Sequence, residues 1–264
     1  MADVYVESWE EFVEAVGVSG DTVYLPEEAE WDMGEILPYG LQSNIIISCY
    51  EINGRNTRIK NLNLNARCFQ CGNGGKMRIS NLLMTDWLGT SQWFDFRYGS
   101  DWLRCAISGI TSSGNIIQNS NQYQNTPPKF TSCSINVESS ASGFGIDSRG
   151  TSELYYCRVE IHAPNSTSSG LSIYEKVCCE LIIYAPNASI VLNIQYVGSG
   201  TILRGNLKSV TGFTGSNTKL PCVYSVDTFA DDVTSSDPKF IGCTEEQLKD
   251  AAYLRSLGFP IVVG

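Results

Sequence analysis

Residues Phe130-Thr131-Ser132-Cys133-Ser134-Ile135-Asn136-Val137 decide the fold. Cys133, Ile135 and Val137 alternate with Ser132, Ser134 and Asn136, the pattern of a short strand with one buried face. One such strand is ordinary, but the chain writes it repeatedly. Aligned on a small or apolar residue two before an aliphatic one, the series is Leu62/Leu64, Leu82/Met84, Cys105/Ile107, Cys133/Ile135, Cys157/Val159, Cys179/Leu181 and Gly205/Leu207. Successive anchors lie 20, 23, 28, 24, 22 and 26 residues apart. A period in this range means a solenoid. A further apolar residue, Ile59, Ile79, Trp102, Phe130, Leu154 or Ile202, stands three before most anchors.

Helical repeats need ten or more residues of 3.6-residue periodicity, which these units lack, and Leu does not recur at the short offsets of a leucine-rich repeat. A second alternating run follows about a dozen residues after the anchors: Phe94–Arg97, Phe144–Asp147, Leu171–Tyr174 and Ile190–Ile194. Several short strands per coil, stacked about 4.8 Å apart, describe a parallel β-helix. The alternative is a β-sandwich, whose turn signals recur at the closer spacing of about 8–12 residues. The expectation is all-β: a single-stranded right-handed parallel β-helix of about seven to nine coils. It occupies residues 1–215, and a C-terminal extension fills 216–264.

Ser8-Trp9-Glu10-Glu11 is a capping box followed by the apolar stripe Phe12, Val13 and Val16, so the pattern predicts a helix over 9–17. Gly20-Asp21-Thr22-Val23-Tyr24 then reads as a strand. Residues 27–42 read as irregular or as a degenerate first coil. The Ser112–Pro128 stretch is expected to project as a polar loop. Thr244-Glu245-Glu246-Gln247 is a second capping box, opening a helix at about 245–257 that Gly258 stops. The apolar tail that follows, with Phe259, Ile261, Val262 and Val263, is either buried in its own protein or docked on another subunit.

The opening helix, the Gly-Asp-Thr-Val strand and the repeats, over roughly residues 6–215, resemble right-handed parallel β-helix proteins of the pectate-lyase-like kind. That group includes polysaccharide lyases, pectin-type glycoside hydrolases, and phage tailspikes and appendages; the chain is most similar to the phage virion-associated members. The resemblance implies the fold and a polysaccharide-related or virion role. Its catalytic residues do not carry over. There is no Asn-x-Asp, Asp231-Asp232 lies outside the coils, and no three acids cluster on neighbouring rungs.

Composition narrows the partners. Lys+Arg 18 against Asp+Glu 28 gives a net charge of −10, which argues against general binding to nucleic acid or an anionic membrane. No apolar run approaches the ~20 residues of a spanning helix, and the start lacks the basic and apolar regions of a signal peptide. Of ten cysteines, Cys105, Cys133, Cys157 and Cys179 share one repeat position and read as a stacked row of reduced core residues. Cys68 and Cys71 form a lone CxxC, and with a single histidine the chain offers no zinc set. No metal or cofactor is expected. Whether two of Cys49, Cys222 and Cys243 form a bridge stays open.

Chemistry on this fold would sit on outward positions. Asp95 with Arg97 and Asp147 with Arg149 fall two coils apart, so their carboxylates would stand about 9.6 Å apart. That is the wide edge of the roughly 6.5–9.5 Å range of inverting glycosidases. The simpler reading is two Asp–Arg surface contacts. Trp87, Trp93, Tyr98 and Trp102 cluster and could stack a sugar, or fill the core as Trp usually does. His162 follows a strand and reads as a turn residue.

The function expected is non-enzymatic: a bacteriophage head-decoration or tail-appendage subunit, made in the host cytoplasm and docked on other virion proteins through its tail. Host surface glycan is a further partner under this reading, and a homotrimer is the frequent assembly of such appendages. A carbohydrate-active enzyme (hydrolase or lyase) and a glycan-binding module are the alternatives.

Overall fold

The structure, a computed structural model, describes residues 2–71, 77–96, 99–112, 115–119, 128–140, 145–147, 152–167, 173–177, 179–194, 200–214, 222–227, 233–235 and 240–259. Its strands form three sheets in which every pairing is parallel, a β-solenoid. Each complete coil runs from the third sheet to the first to the second, as in Ile45–Ile47, Glu51–Asn53 and Arg58–Lys60. Among the described residues the third sheet has five strands, from Ile45–Ile47 to Gly145–Asp147, so five coils are three-sided there. This is fewer than the seven to nine expected.

The inward columns are continuous. Val23, Ile52, Ile79, Trp102, Phe130 and Leu154 stack in the first sheet, and Trp31, Ile59, Met84, Ile107, Ile135, Val159, Leu181 and Leu203 in the second. All are buried in one core.

The first and second sheets meet at a one-residue bend. Asn56, Asn81, Arg104, Ser132 and Tyr156 have φ of 65°, 52°, 52°, 53° and 57°. A single left-handed residue reverses the strand's pleat sharply, and only Gly or Asn adopts it cheaply. The residue after each bend directly precedes the next strand. Thr57, Leu82, Cys105, Cys133, Cys157, Cys179, Thr201 and Cys222 form one column. It is tied by bonds such as Ala106 N–H to Leu82 O (3.1 Å), Ser134 N–H to Cys105 O (2.9 Å) and Ile202 N–H to Cys179 O (2.8 Å). The four cysteines therefore do share a repeat position. Two other anchors do not. Met84 pairs with Ile59, which places Leu62 and Leu64 beyond the bend beside Leu88, and Gly205 pairs with Ile183. A Cβ on Gly205 (φ +121°) would lie 2.0 Å from the Ile183 carbonyl oxygen, so this is a close backbone approach.

Cys49, Cys68, Cys71, Cys105, Cys133, Cys157, Cys179 and Cys243, the cysteines whose side chains are described, are buried and form no disulfide. The stretch expected as a polar loop carries Asn115–Asn119, a strand of the third sheet, with Ile116 and Ile117 buried.

Helices flank the solenoid near both termini. α1 (Trp9–Val16) starts at Ser8, whose hydroxyl accepts from Glu11 N–H (3.2 Å). Glu11 accepts from Glu7 N–H rather than from Ser8, so the reciprocal bond sits one residue early. Trp9 and Phe12 pack on Trp31 over the first coil. Residues 30–36, expected to be irregular or a degenerate coil, are a strand (Glu30–Asp32) and a one-turn helix α2 (Met33–Ile36).

At the other end the single expected helix is two, α3 (Glu245–Lys249) and α4 (Ala251–Ser256). Asp250 breaks the run because its carboxylate caps the N–H groups of Ala252 and Tyr253. Leu248 and Phe259 pack with Val223 and Cys243 in a second small core, against Ile202 and Ile241. Ile202 and Val223 continue the outward column of Arg158 and Glu180. The helices therefore cover the outside of the last rungs instead of plugging the end.

Candidate functional site

The aspartate pair is not brought together. Asp95 lies in the outward column of the third sheet between Gln70 and Gln118, with Ile46 beyond. Asp147 pairs with Ile117, which pairs with Phe94, so its register is that of the inward column Ile45, Phe69, Phe94 and Ile117. A one-residue offset exchanges faces. Coil lengths alone could not reveal it, because the extra residues fall in turns. Arg97, Tyr98 and Arg149 lie outside the described residues, as does the side chain of Asp147. Asp95 has one buried carboxylate oxygen without a hydrogen bond. Burial pushes the thiol of nearby Cys68 up to about 11, and the Asp95 charge adds to the shift.

The tryptophan cluster is core. Trp87, Trp93 and Trp102 are 1%, 0% and 1% exposed, stacked among Phe69, Phe94, Phe96 and Phe130. The indole N–H of Trp87 donates to Ile59 O (2.9 Å) and that of Trp102 to Ser100 Oγ (2.7 Å). None offers a ring face to a sugar, which corrects the glycan reading of these residues. Phe259 is buried in its own chain; Ile261, Val262 and Val263 lie outside the described residues.

The richest gathering of functional groups is one the sequence reading passed over, on the outward face of the second sheet. His162 is not a turn residue but the last residue of the strand Arg158–His162. Alternation turns Arg158, Glu160 and His162 outward. The clue lay in Arg158-Val159-Glu160-Ile161-His162, whose period of two continues through the histidine. His162 stacks on Tyr184 of the next rung (4.6 Å between ring centres, 28°) and pairs in register with Glu138 of the preceding one. Its Nε2 lies 2.9 Å from Glu160 Oε1.

Arg158 reaches Glu180 (2.7 Å) and Glu160 (3.7 Å); Arg204 reaches Glu180 (2.9 Å) and Glu245 (3.6 Å). Signs alternate along this chain of contacts, and its last member belongs to α3. The network thus ties the C-terminal helices to the solenoid. Beneath them Ser225 Oγ, Arg204 Nε and Glu245 Oε1 are buried without hydrogen-bond partners. Chemically the face presents the paired His162 and Glu160 side chains and the edge of Tyr184. The face of that ring is taken by His162, the geometry that stacking along a strand column imposes.

Among the described residues no three or more His, Cys, Asp or Glu gather around a metal position. No described helix is long and apolar enough to cross a membrane. No family model matches the chain. No curated protein matches it, and no solved structure does.

Proposed function

We propose that this chain is a non-enzymatic structural protein of a bacteriophage virion, a head-decoration or tail-appendage subunit. The observation that supports this most is how the outward ionic groups are spent. Each carboxylate of the Arg158–Glu160–Glu180–Arg204–Glu245 network has a cation partner on its own or a neighbouring rung. In the first sheet Glu51, Arg78, Asp101, Lys129 and Glu153 alternate in sign down one column. Such ladders stiffen a rod. They do not leave a carboxylate pair poised over a substrate. Fold alone does not dictate function, so the role is tested directly. Density-purified phage particles from the source should contain the chain at a fixed copy number, and particles from a deletion mutant should lack it. Its absence from wild-type particles would end this reading.

One observation favours a second reading, a carbohydrate-active protein: the exposed His162–Glu160 contact beside Tyr184. Purified protein releasing reducing ends or unsaturated sugars from host polysaccharide, with loss of turnover in His162→Ala, would establish it. Glycan binding without turnover would make the chain a binding module.

A further inference from the structure

The row Cys105, Cys133, Cys157 and Cys179 runs along the solenoid axis, one thiol per rung, inside the first-to-second sheet corner. Neighbouring thiols act directly on one another. Hydrogen bonding from Cys133 lowers the pKa of Cys105 and of Cys157 against the effect of burial, and the same contacts raise that of Cys133. Backbone groups also face the sulfurs. Cys105 N–H donates to Cys133 Sγ (3.4 Å), and backbone hydrogen bonds of Leu82 and Cys133 favour the thiolates of Cys105 and Cys157. Carbonyl oxygens also stand within reach of the thiols as alternative acceptors: Ile79 O or Leu103 O for Cys105, Thr131 O for Cys133, Phe130 O or Tyr155 O for Cys157, and Leu154 O for Cys179.

We propose that this row is a binding site for soft, two-coordinate monovalent metal ions, copper(I) in kind, each bridging the thiols of two successive rungs. The pairs are Cys105 with Cys133 and Cys157 with Cys179. Rung spacing selects the chemistry. Parallel side chains on neighbouring rungs stand about 4.8 Å apart. A disulfide needs its Cβ atoms at roughly 3.5–4.5 Å and its sulfurs at about 2.05 Å, so it would have to draw the rungs together. A linear sulfur–metal–sulfur bridge, with metal–thiolate bonds near the roughly 2.3 Å of zinc–thiolate, spans about 4.6 Å, close to the rung spacing of about 4.8 Å. Thiolates prefer soft ions such as copper(I). A tetrahedral zinc centre needs four ligands, and the described residues gather no group of even three.

Each ion replaces two thiol protons, which leave to solvent, and the bridged pair carries one net negative charge. The inward N–H groups face that charge, and the carbonyls within reach of the thiols face the cation. Because protons are released, retention should rise with pH.

The test uses the full chain, reduced, with silver(I) as a redox-inert probe. After gel filtration against a competing thioether, metal analysis should find ions retained by the folded wild type, and Cys133→Ser should retain one fewer. Iodoacetamide labelling in mild denaturant, mapped by peptide mass spectrometry, should show Cys105, Cys133, Cys157 and Cys179 protected together by silver. If the four label equally with and without silver, or if folded Cys133→Ser retains as much metal as wild type, the site does not exist. The labelling arm uses wild-type protein, so it decides even if the variant fails to fold.

Discussion

Two serines two residues apart should respond oppositely to the same substitution. Ser132 occupies the left-handed bend (φ 53°), and its N–H donates to Tyr155 O (2.9 Å). Ser134 opens the following strand, in register with Ala106 and Arg158. A left-handed L-residue costs about 1–2 kcal/mol, whereas Gly carries an unfolded-state entropy penalty of about 0.5–1 kcal/mol. Ser132→Gly keeps the N–H and removes the Cβ, so it should stabilise by about 0.5–1 kcal/mol, the difference of those two figures. At Ser134 only the entropic penalty applies, and Gly should destabilise by about 0.5–1 kcal/mol. Valine sharpens the contrast. A β-branched residue at positive φ adds about 1–3 kcal/mol of strain at 132, while at 134 it suits an exposed strand position. Urea denaturation of the four variants, read by circular dichroism, gives the four differences. If Ser132→Gly destabilises as Ser134→Gly does, or Val is accepted at 132, the bend is not at Ser132 and the column is misplaced.

Three further outcomes follow from other parts of the molecule. Trp102→Ala removes a ring stacked on Phe130 (5.6 Å) and set edge-on to Phe94 (4.9 Å); it should cost about 3–5 kcal/mol in urea denaturation. Arg204→Met leaves Glu180 and Glu245 without their shared cation. It should weaken the C-terminal helices by about 1–3 kcal/mol, seen as faster amide exchange at Leu248 and Leu254 with Ile135 unchanged. Asp32 accepts from Asn61 Nδ2 (3.0 Å) and Gly34 N–H (3.0 Å) and lies 3.3 Å from Lys60, and these bonds hold its carboxyl below the ordinary range. Its contribution is thus present above the ordinary carboxylate pKa and lost as pH falls through the lower folded value; NMR titration should show Asn61→Ala moving that value up.

The repeat was legible where chemistry marked it. Cys105, Cys133, Cys157 and Cys179 stand at one position because each directly precedes a strand of the second sheet and faces the same corner. The register slipped at both ends, at Leu62 and Gly205, because a small residue two before an aliphatic one also occurs past the bend on the same strand. A better ruler was present in part. Asn56 and Asn81 are natural left-handed residues, but Arg104, Ser132 and Tyr156 take the same conformation with no compositional sign, since the stacked rungs enforce it. The aspartate pair failed for a related reason: spacing counts rungs but not the single-residue phase that sets a face. The His162 face went unread because its partners, Glu180, Arg204 and Glu245, are distant in sequence and meet only through strand pairing.

The claim beneath all of this is the stacked register, and sulfur itself can report it. A long-wavelength anomalous difference map from crystals of the reduced protein should show the Cys105, Cys133, Cys157 and Cys179 sulfurs as a file of four peaks. Successive peaks should be separated by about one rung, roughly 4.8 Å. Sulfurs scattered through the molecule, or paired at bonding distance, would contradict the register and the β-solenoid built on it.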